Sequence, residues 1–283
     1  MTSDCAYKKS SFGPAFLFLS PRKRAALAHY YAFCRLADDI VDEPSQTDPQ
    51  RALDELAEEV KYIYLGAPKT QLGQDLVADV RDFNLSKDRF TLLLEGMQAD
   101  LQKKTYVPTG NEELFAPLDG YIYRVAVIVG KATLDILGVK GPKADELAHS
   151  LGTAVQLTNI VRDVYEDARL SRVYLPCHLS PQQIMLACES AAQTEKPEIC
   201  SCKKTLEETL ALCAQRAREN YKKAFDLMED FWPLSMLPCR VMGYVYQKNL
   251  AKIEKSGLTT QPVKLTKNEK LKMVSYALFK TFF

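Results

Sequence analysis

Tyr31-Ala-Phe-Cys-Arg35-Leu-Ala-Asp38-Asp39-Ile-Val-Asp42-Glu43 places its apolar residues at the period of a helix, and its carboxylates Asp38 and Asp42 then lie one turn apart on the same face. Like charges in that position destabilise a helix unless a cation joins them. Upstream, Ser20-Pro21 suits a helix start, because serine caps free N–H groups and proline tolerates the first helical position. Pro44 stops the helix near Asp42, so a helix of about residues 20–42 ends in acid.

A second run repeats the device. Gln156-Leu-Thr-Asn159-Ile-Val-Arg162-Asp163-Val-Tyr-Glu166-Asp167 sets Asp163 and Asp167 one turn apart and adds Asn159 a turn earlier on that face. Oxygen ligands of this kind suit hard divalent cations of the magnesium type, which retain waters and are shared with substrate phosphates. Arg35 and Arg162 stand beside the two runs and Arg172 follows the second; a guanidinium grips phosphate oxygens in a bidentate fork. The plainer alternative is a pair of solvated helix ends with ordinary surface salt bridges. With 36 acidic residues in 283, chance alone supplies about five acidic pairs at this spacing, so one pair decides nothing. Two such runs, each in apolar helix and each with an arginine just upstream, are harder to obtain by chance.

The rest of the chain is consistent with an all-α fold. Glycine is only 12 of 283 residues, alternating β-branched runs are scarce, and further helices are expected at about 49–66, 69–82, 86–102, 111–137, 143–168, 203–231, 233–255 and 266–282. Residues 190–204 are the least periodic and are expected to form a loop, leaving one domain over 1–283. The apolar positions are not confined to narrow stripes, which implies a helical bundle around a central space. A net charge of +1 excludes a global field for nucleic acid. The 8 cysteines form no disulfide or zinc framework and suit reduced thiols in the cytoplasm, and the C-x-C of Cys200 and Cys202 is assigned no role. No stretch approaches the roughly 18 to 20 apolar residues of a bilayer span. His29, His149 and His178 lack metal-ligand spacing and read as structural or surface residues.

The two acidic runs, with Ser10-Ser11-Phe12 near the start and Arg172-Val-Tyr174-Leu-Pro176 after the second run, resemble the squalene and phytoene synthase family over nearly the whole chain. That resemblance implies an isoprenoid-synthase helical fold around a deep cavity. It also implies three magnesium ions held between the acidic helices by Asp38, Asp42, Asn159, Asp163 and Asp167. Diphosphate contacts would fall on Ser11, Tyr31, Arg35, Gln156, Arg162, Arg172 and Tyr246. The segment Tyr121 to Gly130 looks like the family's kinked cavity-wall helix, with Val127 where a smaller residue is usual, a departure that bears on cavity width.

Within the family, Leu94-Glu-Gly-Met-Gln-Ala-Asp100 and Val263-Lys-Leu-Thr-Lys-Asn-Glu-Lys-Leu are similar to the bacterial presqualene diphosphate synthases of the squalene and hopanoid route, although Gln98-Ala99 departs from the usual Glu-Met. The implied reaction joins two molecules of farnesyl diphosphate: one ionises in a dry cavity, the other attacks through its double bond, and proton loss closes a cyclopropane. Tyr121 is a candidate to orient the released diphosphate or relay that proton; the diphosphate as base and a plain core tyrosine are the alternatives. No nucleotide fingerprint is present, so NADPH is not expected and reduction falls to a downstream isoprenoid-pathway enzyme. The tail from Lys267 mixes lysine with large apolar groups and suits either peripheral contact with the inner face of a membrane or a packed terminal helix. The competing functions are a phytoene, dehydrosqualene or squalene synthase, a terpene cyclase, and a non-catalytic assembly factor of the same superfamily.

Overall fold

The computed structural model describes residues 19–43, 47–103, 105–107, 113–190 and 197–282. All regular structure among them is helical. Helix α1 (Pro21–Asp42) starts on Ser20, whose side chain accepts from the Lys23 N–H. Helices α2 (Pro49–Leu65) and α3 (Gln71–Phe83) are capped in the same way by Asp48 and Thr70, and α4 (Asp88–Leu101) follows. The helix expected over 111–137 is α5 (Ala116–Ile122), a π-helical turn (Tyr123–Val127) and α6 (Ile128–Leu137) in succession. The wider turn inserts a residue into the helical repeat and re-aims the wall that follows.

Helix α7 (Pro142–Arg169) carries the second acidic run and forms the spine of the molecule, packing against the π turn, α6, α9 and α10. Two expectations fail beyond it. A helix not foreseen, α8 (Pro181–Glu189), is set by a capping box in which Ser180 and Gln183 exchange hydrogen bonds, the same serine-proline start seen at α1. Helix α9 (Pro197–Met228) begins inside the segment expected to be a loop, with Pro197 and Glu198 in its first turn. Both residue types are favourable there despite the weak apolar period. Helices α10 (Pro233–Ser256) and α11 (Lys267–Phe282) pack against each other.

The close packing that shapes the cavity rests on glycine. A Cβ on Gly152 of α7 would lie 2.9 Å from the Val127 Cα, and one on Gly96 of α4 would lie 2.5 Å from Val125 Cγ1. The π turn is therefore held between two helices at a separation that any side chain at those two positions would prise open. Val127 itself is fully buried and does not line the cavity; Val125, Ala126, Val129 and Gly130 do. Any narrowing expected at Val127 falls on the helix contact and not on the chamber.

Candidate functional site

A cavity of about 730 Å³ opens between α1, α4, α7 and α10. Every residue assigned a role from sequence lines it except Ser11, which lies outside the described residues. Asp38, Asp42 and Arg35 enter from the last two turns of α1. Gln156, Asn159, Arg162, Asp163 and Asp167 enter from the second half of α7, Tyr31 from α1, Tyr121 from α5 and Tyr246 from α10. Helical periodicity turns each acidic run to one side, and the packing of the bundle turns those sides toward the same opening.

The electrostatics of the two faces are strained. Loss of solvent, reinforced by neighbouring Asp42, raises the Asp38 carboxyl from its ordinary 3.8 to about 7. Asp167 is pushed well above the carboxylate range, again chiefly by desolvation and then by Asp163. Neither accepts a hydrogen bond from the described residues. Their neighbours are neutralised instead. Arg162 forks onto Asp163 through Nε and Nη2 at 2.7 and 2.5 Å. Arg172 donates to Asp42 Oδ1 at 2.6 Å and to the Val41 carbonyl at 3.2 Å, crossing from the loop after α7 to the end of α1. Arg35 pairs with Asp39 at 2.5 Å near the mouth.

The donor set fits a hard cation and an oxyanion. Asn159 gives its amide nitrogen to Gln156 Oε1 at 3.4 Å, which leaves its Oδ1 buried without a partner. An orphaned oxygen beside unneutralised carboxylates matches the ligand chemistry of magnesium. Among the described residues no three His, Cys, Asp or Glu side chains are gathered closely enough to hold a metal ion by themselves. The Arg172 Nε is likewise buried and unpaired, a spare donor on a guanidinium already anchored at its other end. Tyr246 stands beside Arg162, which offsets part of the upward push of burial on its phenol.

Beyond the polar rim the chamber is apolar. Leu93, Met97, Val129, Leu134, Leu147 and Leu151 contribute to its wall. The hydroxyls in this region are turned away from it: Thr133 donates back to the Val129 carbonyl at 2.9 Å, and Tyr30 donates to the Arg89 carbonyl at 2.7 Å.

Sequence reasoning missed a third acidic contributor. Asp100, at the end of α4, lines the cavity and accepts hydrogen bonds from Tyr174 at 2.7 Å and Tyr121 at 3.1 Å. The available signal was its place on the apolar stripe of α4, one turn beyond Met97, where a carboxylate is costly unless used. His29, by contrast, is structural, paired with Asp79 at 2.7 Å.

The chain matches the family described as squalene/phytoene synthase over residues 6–269. It is 32% identical over 278 residues to the presqualene diphosphate synthase of Rhodopseudomonas palustris, covering 95% of this chain and 93% of that one. A solved dehydrosqualene synthase superposes with a TM-score of 0.76 at 23% identity, covering 98% of this chain and 94% of the other. The squalene synthase HpnC of Alicyclobacillus acidocaldarius superposes with a TM-score of 0.73 at 24% identity, covering 89% and 91%. These two likenesses bear on the isoprenoid-synthase fold alone. A match over nearly the full length, on a bundle whose two acidic helices meet at one cavity, places this chain in the squalene/phytoene synthase family.

Proposed function

We propose that this chain is a prenyl transferase that condenses two molecules of farnesyl diphosphate into presqualene diphosphate and releases one diphosphate. The observation that carries the reading is the juxtaposition of an oxygen-rich, arginine-bearing rim with an apolar chamber of about 730 Å³, within the range of small-molecule sites. The similarity to a full-length presqualene diphosphate synthase supports the choice of reaction.

Asp38, Asp42, Asn159, Asp163 and Asp167 would hold magnesium, three ions in this proposal, which supplies neutralisation of the leaving diphosphate. Arg172 offers its spare Nε to a phosphate oxygen while Asp42 fixes its other edge. Arg162, which forks onto Asp163 and stands beside Tyr246, would be the guanidinium available to a diphosphate oxygen if Asp163 bound an ion. Tyr31, Arg35 and Gln156 complete the rim, and Ser11 belongs to the same proposed set. The aliphatic wall keeps water from the allylic cation, which the second double bond then attacks.

Incubation with magnesium and either farnesyl or geranylgeranyl diphosphate, with mass analysis of products, tests the proposal. Presqualene diphosphate from the C15 substrate without NADPH is expected. Phytoene from the C20 substrate alone would reassign the chain length, and no product from either would favour an assembly factor.

We further propose that the protein is cytoplasmic and makes peripheral contact with the inner face of a membrane through α11. No helix among the described residues is long and apolar enough to cross one. Leu271, Phe279 and Phe282 are exposed on one side of α11, flanked by Lys267, Lys272 and Lys280. Co-sedimentation with anionic vesicles should fall at least about tenfold when these three apolar residues are changed to glutamine; equal binding would remove the membrane role.

A further inference from the structure

Asp100 is only 6% exposed, yet it accepts hydrogen bonds only from phenols among the described residues. Its Oδ1 takes the Tyr174 proton and its Oδ2 the Tyr121 proton. The rings are locked as well as the hydroxyls. Tyr121 and Tyr174 stack at 4.9 Å between centroids, and Tyr106 closes on both at 5.0 and 5.8 Å. Asp100, Tyr121 and Tyr174 all line the cavity.

A phenol has one proton to give. With that proton committed to Asp100, the Tyr121 oxygen has only lone pairs left for the chamber, so it meets substrate as an acceptor and not as a donor. A neutral phenol is a feeble base by itself. It becomes effective when its own proton departs as the new one arrives, and the carboxylate to receive that proton is already in hydrogen-bond contact. Burial pushes the Asp100 carboxyl up to about 6, while Tyr174, Arg172 and Tyr121 oppose the rise. The group is thus ionised at neutral pH and closer in basicity to its task than an ordinary aspartate.

We propose that Asp100 is the terminal proton acceptor of the cyclopropane-closing step and that Tyr121 delivers the proton to it. The inference rests on the presqualene diphosphate reading and deepens it. Diphosphate has by then left with the electron pair of its C1–O bond, and the attacking double bond has formed a new bond to that carbon, leaving a cation at C3 of the second chain. The C–H electron pair at the former allylic carbon closes the ring onto C3. Its proton passes to the Tyr121 oxygen as the Tyr121 hydroxyl proton moves to Asp100 Oδ2. No oxidant or reductant is required, and the tyrosine ends the step unchanged. Tyr174 is a positioning residue, holding the other carboxylate oxygen and covering the Tyr121 ring. The departing diphosphate is the competing base.

The test compares diphosphate released with presqualene diphosphate formed, in wild type and in Asp100→Asn, with magnesium and farnesyl diphosphate. The variant keeps the shape of the side chain but cannot take the proton. Diphosphate release should continue, while presqualene diphosphate per diphosphate released falls at least about tenfold in favour of uncyclised alcohols and dienes. Tyr121→Phe should show the same diversion, and the double variant should be no worse than either single one. An unchanged ratio in Asp100→Asn overturns the relay and leaves the diphosphate as base. Loss of diphosphate release in a folded Asp100→Asn also overturns it, because Asp100 would then act before ring closure. If Asp100→Asn does not fold, the ratio in Tyr121→Phe decides. Wild type that forms no cyclopropyl product from the C15 substrate overturns the reaction itself, a failure distinct from that of the relay.

Discussion

The acidic faces of α1 and α7 carry the same motif and balance it differently. On α7 the counter-charge is local: Arg162 forks onto Asp163, its neighbour in sequence. On α1 the Asp42 counter-charge comes from Arg172, 130 residues away, with a side chain only 11% exposed. Each face keeps one carboxylate that forms no ion pair among the described residues, Asp38 and Asp167, and both are raised by desolvation. The loop after α7 therefore does more than follow the motif, because it brings a cation back onto the opposite helix and closes the site across both faces.

The comparison is broken most strongly at the two unpaired carboxylates. Asp38→Asn and Asp167→Asn should each lower kcat by about a thousandfold or more, roughly 4 kcal/mol in the barrier, with circular dichroism unchanged. Steady-state assay of farnesyl diphosphate turnover checks this, and retention of activity in either variant would show that its face holds no ion.

The arginines come next. Arg172→Gln should cost about a hundredfold in kcat/KM, because it strips Asp42 and removes the buried spare donor together. Arg35→Gln should cost about tenfold, mainly in KM, since Arg35 is 55% exposed and among the described residues forms an ion pair only with Asp39. Equal losses in the two variants would erase the distinction between a closing cation and a rim cation.

Spacing between the faces can be tested without touching charge. Gly152→Ala forces a methyl against the Val127 backbone and should cost about 1 to 3 kcal/mol in denaturant unfolding. An unperturbed midpoint would mean that α7 can retreat from the π turn freely.

The smallest effect concerns pH. A carboxyl raised from 3.8 to about 7 stays protonated in the folded protein up to about 7, whereas in the unfolded chain it ionises from about 4, so its contribution to stability declines as pH rises through that window. Metal-free Asp38→Asn should therefore be about 1 kcal/mol more stable than wild type at pH 8 and match it near pH 4, measured by thermal melts. Magnesium with inorganic diphosphate should raise the Tm of wild type at pH 8 more than that of the variant.

Local signals told much of this in advance. The helix of 20–42 is legible because Ser20, Pro21 and Pro44 act within a turn of where they sit, and the pairing of Asp38 with Asp42 needs only the helical period. Helix α8 carries an equally local signal in Ser180, Pro181 and Gln183, which the polar segment beside it obscures. The π turn was not legible, since its extra residue is accommodated where Gly152 admits the Val127 backbone on one side and Gly96 admits the Val125 and Arg124 side chains on the other.

By itself, the sequence determined that two helices would each aim a pair of carboxylates to one side, because periodicity is a property of a single helix. Only the tertiary structure decided that Arg172 would neutralise the helix it does not follow, and that Asp100 would meet two tyrosines from different segments. Those contacts depend on how far apart packed backbones come to rest, and that distance is set by the whole bundle rather than by any one stretch of residues.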